Sequence, residues 1–342
     1  MNPLELTCDQ LAVCFKQRYG RGLYHAAAFY RAFFSQQAPD AAALPEFRNS
    51  PGLAEQVGRD LRLQLPAVVR RFCEEGVTKL VFRLKDSLEI ETVVLPMANH
   101  TTVCISSQAG CRMGCRFCRT GRMGLLRHLS VAEIVAQVYM VRVVLGMKVR
   151  NVVFMGMGEP LDNFDAVAQA VEVLGDQRGL DIAPRHITIS TVGLVDGIKK
   201  LAALDLPQLK LAVSLNAPDD AVRNTLMPIN GRYPMAVLKQ ALAQFPLARG
   251  NALFVEYVLI RGINDQPHQA HILADFLAGL PVKLNLIACN PAPDMPYAAP
   301  ESEVVDRFLA ELIDRGVFVR LRASKGAGIQ AACGQLGDSS FR

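Results

Sequence analysis

No apolar run in these 342 residues approaches the roughly 20 residues needed to cross a bilayer. The opening residues 1–9 carry acids where a secretory leader would have a basic stretch and an apolar core, so a cytoplasmic protein without membrane contact is expected. Cysteine is too scarce for a disulfide scaffold: nine in a chain this long, an odd number, point to metal binding, catalysis or plain burial. Internal repeats and low-complexity tracts are absent as well. Charged residues at 20% and hydrophobic residues at 51% lie near globular averages, which excludes disorder, collagen and a coiled coil. The length suits about two domains, or one large α/β barrel with an extension. Acids are locally missing from residues 107–150, which hold eight Lys or Arg against one Glu. That segment is +7 in a chain of +5, so the remainder is −2. Such a concentration is a common footprint of phosphate or nucleic-acid binding.

Residues 1–75 show apolar positions at helical spacing through Leu11, Phe15, Ala26, Phe29, Tyr30 and Phe33, and predict a helical accessory domain. The texture turns β-like at 79–84 and 91–95, around the polar turn 85–87, so 76–99 is expected to be a β-hairpin extension. Beyond residue 100, strand-like runs near 102–106, 151–155, 186–190, 210–215, 253–259 and 283–288 alternate with helical stretches near 130–145, 163–175, 194–203, 234–245, 267–278 and 301–314. That alternation predicts an α/β fold of βαβ units on a parallel sheet, a partial six-fold barrel over 100–322. Residues 323–342 would form a tail. Ligands of such folds collect at the carboxyl ends of the strands.

Cys111, Cys115 and Cys118 follow the first of these strands in a CxxxCxxC spacing on a glycine-containing loop. Three thiolates in eight residues can face one centre. A structural zinc would need a fourth ligand, for which His128 is available; a four-iron cluster held by three cysteines instead keeps one iron open. Phe117, inside the motif, reads as packing. At the end of the second strand, Gly158 and Glu159 in Gly-Met-Gly-Glu-Pro offer close backbone approach and a carboxylate for an ammonium group. Ser190, Ser214, Leu215, Asn216 and Asn290 sit at further strand ends, where each alone would pass for a cap or turn residue. Buried small hydrophobe is the default for Cys8, Cys14, Cys73 and Cys289. Cys333, flanked by Gly and Ala in what reads as a mobile tail, lacks core-like surroundings and can be carried into a strand-end site.

The cysteine spacing at the head of an α/β repeat resembles radical S-adenosylmethionine enzymes. Together with GMGEPLDN from 156, SLNAPDDAVRNTLMPIN from 214 and AACGQL from 331, it makes the whole chain similar to the RlmN/Cfr family of radical S-adenosylmethionine RNA adenosine methyl synthases, nearer the RlmN branch. That resemblance implies one four-iron, four-sulfur cluster on Cys111, Cys115 and Cys118, and two molecules of S-adenosylmethionine per turnover. It implies cofactor contacts at Gly158, Glu159, Ser190, Ser214, Leu215, Asn216 and Asn290. Cys333 matches the cysteine that is methylated first, Cys104 the partner that later forms a disulfide with it, and Glu91 a proton acceptor. The implied reaction methylates carbon 2 of an adenosine in 23S ribosomal RNA, and in transfer RNA as a further substrate. Flavodoxin or ferredoxin would donate electrons, and a monomer is expected.

Arg112, Arg116, Arg119, Arg122 and Arg127 crowd the cluster loop, and Arg320, Arg322 and Lys325 precede the tail cysteine, so positive charge is expected at the site mouth to position RNA phosphates. The helical domain is a candidate second RNA contact, although its nine basic residues meet eight acids. Two positions depart from the family pattern: His128 after the cluster loop, and Gly328, where loss of a carboxylate would loosen the tail. The alternatives are Cfr-like methylation at carbon 8, a paralogue acting on another RNA and, from a different class, a non-catalytic metal-holding RNA-binding protein.

Overall fold

The computed structural model describes residues 1–37, 39–61, 63–292 and 295–337; the last five residues of the expected tail lie outside them. Three helices open the chain, α1 (Cys8–Tyr19), α2 (Leu23–Ser35) and α3 (Pro51–Asp60). Thr7 and Gln10 form a reciprocal capping box that starts α1, and Gly20 ends it in the left-handed conformation. Phe15, Phe29, Phe33 and Tyr30 are buried, and Phe33 stacks at 5.0 Å on Tyr139, which belongs to the barrel.

The helical expectation for 1–75 fails at its end. Residues 67–74 form strand β1 (Ala67–Glu74), which pairs antiparallel with β2 (Val77–Arg83), and β2 pairs with β3 (Glu89–Pro96). The extension is therefore a three-stranded meander. β1 escaped detection because it is an edge strand whose residues are exposed or half-buried on both faces, so its sequence lacks clean alternation.

β3 pairs antiparallel with β4 (Thr101–Cys104), which starts the parallel part of one continuous sheet. After β4 comes a two-stranded ribbon, β5 (Gln108–Cys111) and β6 (Gly124–His128), with the short helix α4 (Arg119–Met123) in its loop. Six strand-helix units follow: β4 with α5 (Val131–Tyr139), β7 (Asn151–Phe154) with α6 (Phe164–Gly175), β8 (Ile187–Thr191) with α7 (Val195–Ala202), and β9 (Lys210–Ser214) with α8 (Asp220–Leu226) and α9 (Met235–Ala243). β10 (Leu253–Leu259) with α10 (Pro267–Leu277) and β11 (Val282–Ala288) with α11 (Ser302–Asp314) complete them, and β12 (Val319–Arg322) adds an unforeseen parallel edge strand. The ten strands run in the order β1-β2-β3-β4-β7-β8-β9-β10-β11-β12. This is the expected partial (β/α)6 barrel. Residues on the outer strand faces, such as Ile187, Ile189, Leu211, Val213, Val255 and Tyr257, are buried. Alternate residues face the barrel interior, and that period of two places Ser190, Ser214, Glu256 and Asn285 there. Among the described residues no helix is long and apolar enough to cross a membrane.

Candidate functional site

Two cavities meet at Cys333. The first, about 160 Å³, lies at the carboxyl ends of the strands and is lined by Cys111, Cys115, Cys118, Gly158, Glu159, Ser190, Ser214, Asn216, Asn290 and Cys333. The second, about 410 Å³, occupies the barrel interior below it and is lined by Cys104, Glu256, Asn285 and again Asn290 and Cys333. Of the cofactor contacts expected from sequence, only Leu215 is missing from both linings. Its side chain is in the core, while its N–H donates to the Glu256 carbonyl at 3.0 Å.

The loop carrying the three thiols is fixed by its backbone. Cys118 N–H donates to Cys115 O at 3.1 Å, Arg116 N–H to Leu226 O at 2.9 Å, and Arg119 N–H to Gly334 O at 2.9 Å. Burial raises all three thiols, Cys111 to about 12, and at Cys115 the neighbouring cysteines add to the rise. Thiols held this way ionise only when a cationic centre compensates them. His128 lies outside the cavity lining, with Nδ1 2.9 Å from Gln108 Nε2, so it is not placed as a fourth zinc ligand. Among the described residues no three ligating side chains close on a single ion. Three soft thiols spread around one cavity, with room left beside them, fit a multi-iron cluster with an open position.

Glu159 occupies the turn after β7 and is almost wholly buried. Its Oε1 accepts from Leu161 N–H at 3.1 Å and its Oε2 from Val192 N–H at 2.8 Å; burial nevertheless pushes the carboxyl up to about 7. Gly158 has φ +101°, and a Cβ there would stand 2.6 Å from Gln108 Cβ. Only glycine lets the turn close over Gln108, whose Oε1 accepts from Glu159 N–H at 2.8 Å.

Sequence inspection missed the braces behind this cavity. Arg223 is fully buried on α8, and its guanidinium donates to Leu215 O at 3.2 Å, Asn230 Oδ1 at 2.9 Å and Val192 O at 2.5 Å. It ties the loops after β8 and β9 together, and desolvation holds it down to about 10. The buried Asn264 side chain donates to Asn216 O and Val258 O, holding the ends of β9 and β10. Ser106 accepts from Met157 N–H and donates to Glu91 O, linking β3 to the glycine turn. The signal for Arg223 was a lone Arg within a recognised motif. Arg223→Ala leaves three acceptors, two of them buried, without this donor, so urea unfolding is expected to show a loss of about 3–5 kcal/mol.

The tail proves to be docked. Asn290 Nδ2 donates to Cys333 O at 3.1 Å, Gln335 Nε2 to Pro291 O at 2.8 Å, and Thr120 Oγ1 to Leu336 O at 2.7 Å. Lys79 Nζ donates to Gln330 O at 3.2 Å and pairs at 3.4 Å with Glu91, whose Oε2 accepts from Gly337 N–H at 3.0 Å. Glu91 lines neither cavity; its carboxylate is held at Lys79 and the tail backbone. The looseness expected from Gly328 is likewise offset: its N–H donates to Glu74 Oε2 at 3.2 Å, and the space of a Cβ is taken by that carboxylate. Cys333 is open to the cavities rather than packed in the core, yet the walls around it push its thiol up to about 11. Cys104, buried at the end of β4, is pushed up further by burial and by the nearby Cys333.

The cluster-loop arginines do not form an open cationic mouth. Arg112 is bridged to Asp162, Arg127 to Asp86 and Glu133, Arg119 bonds the Gln330 side chain, and Arg122 contacts Met295 Sδ. Arg116 is exposed and has no ion pair among the described residues.

Residues 105–273 match the model of the radical SAM superfamily. The chain is 40% identical over 339 residues, 99% of its length and 94% of the other, to a probable dual-specificity RNA methyltransferase RlmN 1 of Protochlamydia amoebophila. It is 43% identical over 338 residues, 94% of its length and 88% of the other, to a probable dual-specificity RNA methyltransferase RlmN of Chloroflexus aurantiacus. A solved radical SAM methyltransferase from Sphaerobacter thermophilus superposes with a TM-score of 0.90 at 39% identity, covering 98% of this chain and 99% of that one. Similarity of this extent, along the whole chain and through the whole fold, means that the protein belongs to the RlmN family of radical S-adenosylmethionine methyltransferases.

Proposed function

We propose that this enzyme methylates carbon 2 of an adenosine in 23S ribosomal RNA, and in transfer RNA as a further substrate, by way of a methyl group carried on Cys333. The observation that carries the reading is the placement of two non-cluster thiols: Cys333 lines both cavities, and Cys104 lines the interior one beside it. Relatives named dual-specificity RNA methyltransferases support the substrate class.

Carbon 2 of adenine is an electron-poor amidine carbon and no nucleophile, so polar transfer from a sulfonium cannot methylate it. A cluster on Cys111, Cys115 and Cys118 would supply the electron that cleaves S-adenosylmethionine to a 5′-deoxyadenosyl radical. The residues of this chain do the rest. Cys333 takes a methyl group from a first S-adenosylmethionine, loses one hydrogen atom from that methyl, and joins the base through the resulting methylene. Once the radical adduct has given one electron, for which the oxidised cluster would be the acceptor, and its ring proton to water, the Cys104 thiolate attacks the Cys333 sulfur. The carbon–sulfur bond breaks, the methylene carbon gains a proton, and a Cys104–Cys333 disulfide remains, which an external dithiol would reduce by two electrons before the next turnover; flavodoxin or ferredoxin would be the electron donor for the cluster. Lys79 and Glu91 hold the tail while this happens.

Glu159, beside Ser190, Ser214 and Asn216, is the carboxylate for the ammonium group of the cofactor. Its free-state carboxyl titrates at about 7, and a cation binds only the ionised form. Affinity for S-adenosylmethionine is therefore expected to weaken by up to about tenfold per pH unit as the pH falls below about 7. Titration calorimetry across that range checks this; Glu159→Gln should bind weakly with a flat profile. The function itself is tested by nucleoside mass spectrometry of RNA from a bacterial host lacking such an enzyme and supplied with this chain: 2-methyladenosine is expected, and 8-methyladenosine would move the assignment to carbon 8.

A further inference from the structure

The carboxyl ends of the barrel strands are closed by the tail, whose backbone is bonded to Arg119, Thr120 and Asn290 directly above the first cavity. A base reaching Cys333 needs another way in. The second cavity supplies one, because it extends from Cys104 and Cys333 down the barrel interior to residues at the amino ends of the strands. Alternation along each strand builds its walls: His186 and Thr188 lead up to Ser190, Lys210 to Ser214, Phe254 and Glu256 to Val258, and Asn285 to Ile287. Glu256 and Asn285, joined at 2.7 Å, place hydrogen-bonding groups at mid-depth, where the edge of an aromatic base would meet them.

The amino-end mouth is cationic. Lys210 and the neutral His186 line the cavity there, and Arg150, Arg185 and Lys283 stand with them at or just before the starts of four parallel strands, β7, β8, β9 and β11. Among the described residues none of them is in a salt bridge, in contrast to Arg112 and Arg127 at the cluster loop. Burial lowers the His186 pKa, and the charges of Arg150, Arg185 and Lys210 lower it further; Lys210 is lowered by burial and by Lys283. Cations that repel one another around an opening mark a place for a polyanion.

We propose that the target nucleotide enters the barrel from the amino ends of its strands, its base passing Glu256 and Asn285 to Cys333 while the flanking phosphates rest on Arg150, Arg185, Lys210 and Lys283. This rests on the RNA reading above. The base must leave its stack to travel so deep, which selects a loop or unpaired adenosine over a duplex. Phosphate contacts at the rim position the strand without reading its sequence.

The test compares the full chain with its Arg185→Ala/Lys283→Ala variant, both side chains being exposed, using deproteinised 23S ribosomal RNA. The variant is expected to bind RNA about tenfold more weakly at 0.15 M salt. Its log–log salt slope should shrink by roughly one to two, as for loss of two phosphate contacts. Cleavage of S-adenosylmethionine and methylation of Cys333, read by peptide mass spectrometry, should stay at the wild-type level. Arg116→Ala on the cluster loop should leave affinity and slope unchanged. Unchanged binding by the double variant, or the loss appearing in Arg116→Ala instead, overturns this route while a methylated RNA product from the wild type leaves the RNA reading standing. A wild type that neither binds nor methylates RNA overturns both.

Discussion

Replacing Cys333 by alanine is expected to remove RNA methylation, a loss on the order of 10³-fold or more, because no other thiol lines both cavities. Iron content and cleavage of S-adenosylmethionine should persist, since the tail is held mainly by backbone groups around residue 333 rather than by its sulfur. Cys104→Ala should fail at a different point. With the methylene already joined to the base, no thiolate remains to attack the Cys333 sulfur, so a covalent protein–RNA species should accumulate and survive denaturing electrophoresis. The two variants thus separate formation of the carbon–carbon bond from its release. If Cys104→Ala turned over like the wild type without an adduct, the disulfide step would be wrong. If Cys333→Ala still methylated RNA, the methyl carrier would be wrong.

The second large effect concerns the cluster loop. Cys118→Ser substitutes a hard, weakly acidic hydroxyl for a soft thiolate in a cavity where burial already opposes ionisation. Anaerobically reconstituted Cys118→Ser is expected to fall to background in iron and acid-labile sulfide, and to lose cleavage of S-adenosylmethionine with it. Because Cys118 N–H already bonds Cys115 O within the loop, the fold should remain. A variant that kept a full complement of iron would show that Cys111 and Cys115 find their third ligand elsewhere.

Much of this architecture was legible in the residues. The runs at 151–155, 186–190 and 210–215 became strands because buried apolar residues (Val152 and Phe154, Ile187 and Ile189, Leu211 and Val213) sit at every second position there, packing outwards under the helices. The helical stretch expected near 130–145 begins as α5, where Ser130 and Glu133 cap each other reciprocally in the structure. The cysteine spacing and the glycine turn announced the first cavity, since a ligand site on one loop is written contiguously. What the sequence hid is what only tertiary structure assembles. Strand β1 has an edge position and no buried face, so its period of two is blurred. Docking of the tail depends on Lys79, Glu91 and Glu74, which lie some 240 or more residues before the groups they hold. The arginines of the cluster loop looked like a phosphate site because their acids, Asp86 and Asp162, stand far from them in the chain. The cations of the amino-end mouth are the reverse case: each is unremarkable alone, and strand order gathers them.

The most direct measurement uses S-adenosylmethionine with a trideuterated methyl group, reduced enzyme and 23S ribosomal RNA, followed by mass spectrometry of the product nucleosides. Transfer through a methylene on Cys333 predicts 2-methyladenosine that keeps two of the three deuterium atoms, the third having passed to 5′-deoxyadenosine. Retention of all three in the product, or deuterated product from Cys333→Ala, would contradict it.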